Sequence, residues 1–377
     1  MSQLKVNSVV DASGGNTSTI NSMTPTADSL QGFRNRLINS DMRIDQRNAG
    51  AAVTLSSSGV FPVDRFQCDE DTDGVMTGQQ STTAPTGFIN SLLITTTTAD
   101  ASLGATQYAA VLQKIEGTNV SDLGWGTANA KTVTLSFWVR SSLTGTFGGA
   151  LANSAWNRSY PFTYSISAAN TWEQKSITIA GDTSGTWLTT TGIGLRLIFG
   201  LGVGSTYSGT ANAWAGSTLF STTGAVSVIG TLNATWYITG AQLEVGSVAT
   251  PFERRDYGRE LIMCQRYCYA VYANDNYTRY GIGDCDQSTS TQILIPLPTV
   301  MRAVPTINTT GTASNYAIYS AGGITALNAV PFAQTITATP NCVFLGATVA
   351  SGLTAGRASQ LISNNNTTSY LKFFAEL

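Results

Sequence analysis

Between Lys131 and Arg140 the sequence reads KTVTLSFWVR, in which Val133, Leu135, Phe137 and Val139 alternate with Thr132, Thr134, Ser136 and Trp138. An apolar side chain at every second position places all of them on one face only if the backbone is extended, so the stretch predicts a strand with one face in a core. Segments of similar size, each closed by turn residues, recur from Asn35 onward: VDRFQCDE, INSLLITTTT, YAAVLQKIE, YPFTYSISA, WEQKSITIAG, IGLRLIFGL and ATWYITGAQLEV. About eight such strands over this length suit a two-sheet sandwich of jelly-roll type. Thr, Ser, Gly and Asn fill the gaps, and only 11% of residues are charged. That mixture favours pleated strands and tight turns and supports helices poorly.

The chain has 377 residues, long enough for two cores. Charge gathers abruptly between Glu253 and Arg266, where seven charged residues follow a long stretch with almost none. Here RRDYGRELIMCQRYCYAVY places Leu261, Ile262, Cys264, Gln265 and Cys268 near helical spacing, with Glu260 early and Arg266 late, the order the helix dipole favours. Beyond it, TRYGIGDC, TQILIPLP, AIYSAGGITAL, QTITATP, CVFLGATVA and SYLKFFAEL read as strands again, with MRAVPTI as a proline-punctuated connector. Residues 1–33 offer one short alternation, Leu4, Val6 and Val9, too little to bury a core.

The expected organisation is all-β. An extended N-terminal arm (1–33) leads into a jelly-roll-like β-sandwich (34–255), and a short helix joins this to a smaller β-rich C-terminal domain (256–377). The arm would order against a partner through Leu4, Val6 and Val9. Arg254, Arg255 and Glu260 would form a hydrogen-bonded domain junction.

Several function classes are disfavoured. A net charge of −2 without a Lys/Arg run gives no attraction to nucleic acid or an anionic membrane. The longest apolar stretch, TGIGLRLIFGLGVG, is interrupted by Arg196 and glycines, so no membrane span is expected, and the N-terminus lacks the apolar run of a secretory signal. Five cysteines at unpaired spacings point to a reduced assembly compartment rather than a disulfide framework. The sequence contains no histidine, which removes Ser-His-Asp triads, Cys-His dyads and HExxH sites together. A glycosidase needs only two carboxylates, so polysaccharide cleavage stays open as an alternative. No cofactor is expected.

Two weaker signals remain. DEDTDG sets Asp69, Asp71 and Asp73 like the first half of a calcium loop, but the twelfth position is Gln80 where a bidentate Glu belongs. A charged strand end running into an Asp-Gly turn is the competing reading. Tyr272, Tyr277 and Tyr280, in or near loops of the second domain, are candidate receptor contacts, since aromatic rings offer flat apolar faces with a polar handle. Packing in a core or between subunits is the alternative for them. The seven tryptophans are expected to stabilise the sandwich or its contacts.

In order along the chain, NRLINSDMRIDQRNAG, FPVDRF, LSFWVRSSLTGTF, TWEQKSITIAGDTSGTW, GAQLEVGSVATPFERRDYGRELIMCQRY, MRAVPTI and the final FFAEL resemble tail-fibre and related virion structural proteins of tailed bacteriophages, notably phages of marine bacteria. The segment LKVNSVVDASGGNTSTINSMTPT also looks like the N-termini of such proteins. The resemblance implies a non-enzymatic virion component assembled in the host cytoplasm. Most specifically it implies a homotrimeric tail fibre that docks through its arm on another virion protein, such as a tail adaptor or portal-proximal protein, and meets a host-surface glycan or protein. A capsid or head-fibre decoration, or a carbohydrate-active depolymerase, is the alternative.

Overall fold

A computed structural model describes residues 33–55, 57–333 and 339–377. Leu4, Val6 and Val9, expected to dock the arm, and most of the expected strand QTITATP lie outside the described residues. The chain divides into two compact units between Arg255 and Asp256.

The first unit begins with β1 (Val53–Leu55), β2 (Val60–Val63), β3 (Phe66–Asp71), β4 (Val75–Ser81), β5 (Ser91–Thr98) and β6 (Tyr108–Glu116). It continues with β7 (Val133–Ser141), β8 (Gly145–Ala152), β9 (Ser159–Ile166), β10 (Glu173–Ile179) and β11 (Ile193–Val203). A short parallel pair, β12 (Ser208–Gly209) and β13 (Ser221–Thr222), precedes the closing strand β14 (Thr235–Val245). The long strands form two six-stranded sheets, ordered β1-β4-β5-β14-β7-β10 and β2-β3-β6-β11-β8-β9, with antiparallel pairing throughout.

Between them lies the core that the alternation requires: Val133, Leu135, Phe137 and Val139 are all fully buried. Edge-on aromatic packing fills its centre. Phe199 sits 5.1 Å from Phe137 and 5.6 Å from Trp236, whose indole N–H donates to the Tyr164 hydroxyl at 3.1 Å. Burial pushes the Tyr164 phenol far above its usual range, so it stays a neutral partner. Strand β8 is glycine-rich for a steric reason. A Cβ at Gly149 would stand 2.4 Å from the Ile198 carbonyl oxygen and 2.5 Å from the Phe162 ring.

Ahead of β1, residues 33–50 run as an irregular strap that nevertheless buries Leu37, Met42 and Ile44. Buried backbone outside a sheet must find partners elsewhere. The Asn39 side chain accepts from Ile44 N and donates to the carbonyls of Ile44 and Asp64. Gln113 both accepts from Ile38 N and donates to its carbonyl, standing in for a neighbouring strand.

The second unit opens with helix α1 (Tyr257–Gln265), capped by Asp256, whose carboxylate accepts from Arg259 N at 2.9 Å. Strands β15 (Cys268–Tyr272), β16 (Arg279–Cys285), β17 (Ser290–Pro296), β18 (Thr306–Thr309) and β19 (Tyr316–Ser320) follow. After them come β20 (Gly323–Ala326), β21 (Phe332–Ala333), β22 (Cys342–Thr348), β23 (Ala358–Ser363) and β24 (Tyr370–Phe374). They make a three-stranded sheet, β15-β24-β18, and a seven-stranded one, β20-β19-β23-β16-β17-β22-β21. Ile293, Val343, Leu345, Leu361 and Phe373 are fully buried, and Tyr316 donates its hydroxyl to the Tyr370 carbonyl at 2.6 Å. The fold class is therefore all-β, a jelly-roll-like sandwich followed by a smaller β-rich unit that begins with one helix.

Candidate functional site

Strand β11 carries Leu195, Leu197, Phe199 and Leu201 into the core, all 0–1% exposed, and so turns Arg196 and Ile198 outward. On the same outer face stand Gln67 and Asp69 of β3 and Tyr108 and Lys114 of β6. The β8–β9 turn brings Trp156 over this face, and the excursion between β11 and β14 adds Tyr207, Thr218 and Phe220. Together they wall a cleft of about 550 Å³.

One wall is aromatic. Phe220 is the hub, 4.7 Å from Tyr108, 5.0 Å from Trp156 and 5.0 Å from Tyr207, the last pair stacked. Under it Ala110, Leu112, Ala150, Ala152 and Ile198 form a small apolar patch separate from the main core. Trp156 has a left-handed backbone, φ +60°, which a bulky residue adopts only when its surroundings impose it. The surroundings here are explicit: Trp156 N donates to the Asn153 carbonyl, Thr218 Oγ1 donates to the Trp156 carbonyl at 2.7 Å, and Asn153 Oδ1 accepts from Asn157 N and Arg158 N.

The polar side is equally built. Arg196 is only 6% exposed and lies 4.0 Å from the Trp156 ring centroid, a cation over a π face. Its Nη1 donates to the Asn153 carbonyl, while its enclosed Nε has no hydrogen-bond partner among the described residues. Burial pulls its pKa down to about 10, and the nearby Asp69 charge acts in the opposite sense. Asp69 is held in place because Oδ1 accepts from Gly59 N at 2.8 Å and from Gln67 Nε2 at 2.5 Å. Burial raises the pKa of Tyr108, so its hydroxyl remains a neutral donor and acceptor. An apolar wall of aromatic rings facing fixed donors and acceptors suits a ligand with apolar faces and a polar rim, the surface pattern of a sugar ring.

The residues singled out by the sequence lie elsewhere. Tyr280 is 7% exposed and shares a 2.7 Å hydrogen bond with Ser369, so it is a core residue and is corrected as a receptor contact. Tyr272 pairs with Tyr370 across the β15–β24 ladder, and Tyr277 is exposed. Asp69 and Asp71 stand in the extended strand β3 rather than a coordinating loop, and Asp73 N donates to Asp100. Among the described residues no three His, Cys, Asp or Glu side chains gather as a metal site.

Of the three residues expected at the domain junction, Arg254 and Arg255 belong to the first unit and Glu260 to the second. Arg255 is buried within the first unit, where it donates to the carbonyls of Leu37 and Asn35 and pairs with Glu253 at 3.1 Å. Glu253 in turn accepts from Asn35 N at 2.7 Å. Arg254 donates to the Gly87 carbonyl and lies over Phe88, 4.9 Å from the ring centroid. Arg255 as donor and Glu253 as acceptor thus latch the sandwich's own first strap to its last turn. Glu260 is buried on α1 in the second unit.

The cleft was missed because its members are scattered from Ser58 to Phe220 and meet only when the sheet forms. One signal was present. Arg196 is a lone charge inside the apolar run IGLRLIFGL, where a two-residue period turns it away from the core.

No family model matches this chain, and no curated protein matches it. Among solved structures it is similar to the enzymatically active domain of tailspike protein 4 of bacteriophage CBA120, at 11% identity with a TM-score of 0.28. That match covers 56% of this chain, which spans only 21% of the tailspike chain. A putative sugar-binding protein from Bacteroides thetaiotaomicron matches at 10% identity and TM-score 0.33, covering 56% of this chain and 100% of its own. A family 11 carbohydrate-binding module from Clostridium thermocellum, in complex with a β-1,3-1,4-mixed-linked tetrasaccharide, matches at 12% identity and TM-score 0.26, covering 53% and 98%.

Proposed function

We propose that this chain is a non-enzymatic bacteriophage virion structural protein, a homotrimeric tail fibre, that contributes to host-surface attachment by holding a saccharide in the outer cleft of its sandwich. The observation that carries the reading is the cleft itself: an aromatic wall of Trp156, Phe220, Tyr108 and Tyr207 facing the fixed polar groups of Asp69, Gln67 and Arg196. The in-order resemblance to tail-fibre proteins supports the virion assignment, and the arm, residues 1–33, supplies the docking segment.

A binding role fits the chemistry better than cleavage. Asp69 is the one carboxylate among the lining residues, whereas a glycosidase places two across the scissile bond. With no histidine in the chain, no imidazole base can substitute.

The test is binding of the full chain to an array of bacterial surface polysaccharides, alongside Trp156→Ala. Wild type should bind at least one polysaccharide without releasing saccharide, and the variant should bind it about tenfold more weakly, the scale of one lost aromatic contact. Saccharide release, or an unaffected variant, would overturn the reading. Sedimentation of the purified protein as a monomer would count against the trimer.

A further inference from the structure

The seven-stranded sheet of the second unit turns one side to its core, where Ile293, Ile318, Val343, Leu345 and Leu361 are fully buried. Its other side carries an apolar row. Ile324 of β20 stands opposite Tyr319 of β19, Tyr319 opposite Gln360 of β23, and Gln360 opposite Ile282 of β16. Ile282 in turn faces Leu294 of β17, and Leu294 faces Phe344 of β22. Directly paired residues share a face, so these six line up across six strands. Ile282 is 65% exposed and Ile324 49%, and Ile282 rises beside a cleft of about 500 Å³ that Tyr319 and Gln360 also line. A protruding side chain next to a socket is a shape that copies of one chain can exchange.

Charge on this sheet is sparse and ordered. Arg279 and Asp284 are the only charged residues in its seven strands, both exposed and both on β16, one to either side of Ile282. Arg279 Nε donates to Gln360 Oε1 at 2.7 Å, which puts it on the face of the row, and Asp284 shares that face two residues on from Ile282. Beyond the strand ends lie Asp275, which accepts from Tyr277 N, and, past Asp284, Asp286, which accepts from Ser290 Oγ, with Arg357 of opposite sign. Any rotation axis parallel to the row brings the Arg279 margin of one copy against the Asp284 margin of the next. At about 4.8 Å between strands and about 3.3 Å per residue the face measures roughly 24 by 17 Å, or about 400 Å². Two such faces would bury about 800 Å², short of the roughly 1,200 Å² of a stable pairwise complex, whereas a ring of three covers each face from both neighbours.

We infer that this face is a contact between copies of the chain, with three rows meeting around an axis parallel to them and Arg279 of each copy paired to Asp284 of the next. This rests on the homotrimer reading for the number of copies and adds the surface through which they meet. The test is sedimentation of the full-length protein over a range of concentrations. Ile282→Asp should raise the concentration at which the trimer half-dissociates by about tenfold or more, since it sets a charge in an apolar contact. Ile89→Asp, the same change at an exposed isoleucine of the first unit, should leave it within about twofold. Arg279→Asp and Asp284→Arg should each weaken assembly several-fold, and the two exchanged together should return it to within about threefold of wild type. The two residues stand about 17 Å apart along one strand, so only pairing between copies can produce that rescue. A wild-type trimer that Ile282→Asp leaves intact, or an exchange without rescue, overturns this inference and leaves the trimer standing on other contacts. If the wild-type protein sediments as a monomer or a dimer, both fall.

Discussion

Arg255→Ala is the sharpest perturbation of the scaffold. The guanidinium is 8% exposed, donates to two strap carbonyls, Leu37 and Asn35, and pairs with Glu253. Truncation strands both acceptors and leaves a mostly buried carboxylate without its cation. Removing one partner of a buried pair costs about 3–5 kcal/mol. Glu253 keeps the backbone donors Asn35 N at 2.7 Å and Arg34 N at 3.4 Å, so the lower end, about 3 kcal/mol, is expected. For a unit of this size that lowers the melting temperature by roughly 6–12 °C. All seven tryptophans precede Arg255, so intrinsic tryptophan emission during a thermal ramp follows the first unit alone. Arg254→Ala is the internal comparison. Its side chain is exposed over Phe88, where a cation–π contact contributes about 0.5–1 kcal/mol, so a shift under roughly 4 °C is expected. If the two variants melt alike, or Arg255→Ala moves the transition by less than about 2 °C, the latch is not what holds the strap.

Burial raises the Tyr280 pKa from 10.0 to about 12. The folded state therefore favours the neutral phenol, and this contribution is intact below about pH 10 and is lost as pH climbs toward 12. It amounts to about 3 kcal/mol in all. Tyr280→Phe should flatten that alkaline loss in the second unit, measured as the difference between wild-type and variant unfolding free energies by far-ultraviolet circular dichroism. An unchanged pH slope would refute it. Gly283→Ala should destabilise the same unit by about 1–3 kcal/mol, because the added Cβ would stand 1.7 Å from the Gln292 carbonyl oxygen. A denaturant midpoint equal to wild type would show that β16 and β17 separate more easily than their packing implies.

The strand read most directly from the sequence is KTVTLSFWVR, which became β7, because apolar residues at every second position leave one side to bury. YAAVLQKIE, a nearly continuous apolar run closed by turn residues, became β6. GTFGGALA gave no such signal yet forms β8. Its glycines serve close approach to Ile198 and Phe162, a requirement set by the neighbouring strand and invisible locally. The strap 33–50 was equally hard to read, since its order comes from side chains such as Asn39 and Gln113 replacing ladder hydrogen bonds. For the site, charge density drew attention to residues 253–266, where charges are close in sequence. The cleft instead depends on one arginine in β11 and four rings more than a hundred residues apart at the extremes, which only the sheet register brings together.

The latch places the two ends of the sandwich side by side. Asn35 is tied to Ala241 and Leu243 of the last strand, and Arg255 grips Asn35 and Leu37. Tension that enters the sandwich at its strap and leaves it at Arg255 therefore has a short path through the Arg255 contacts to Asn35 and Leu37, beside the longer ones through the strands to which the strap is bonded.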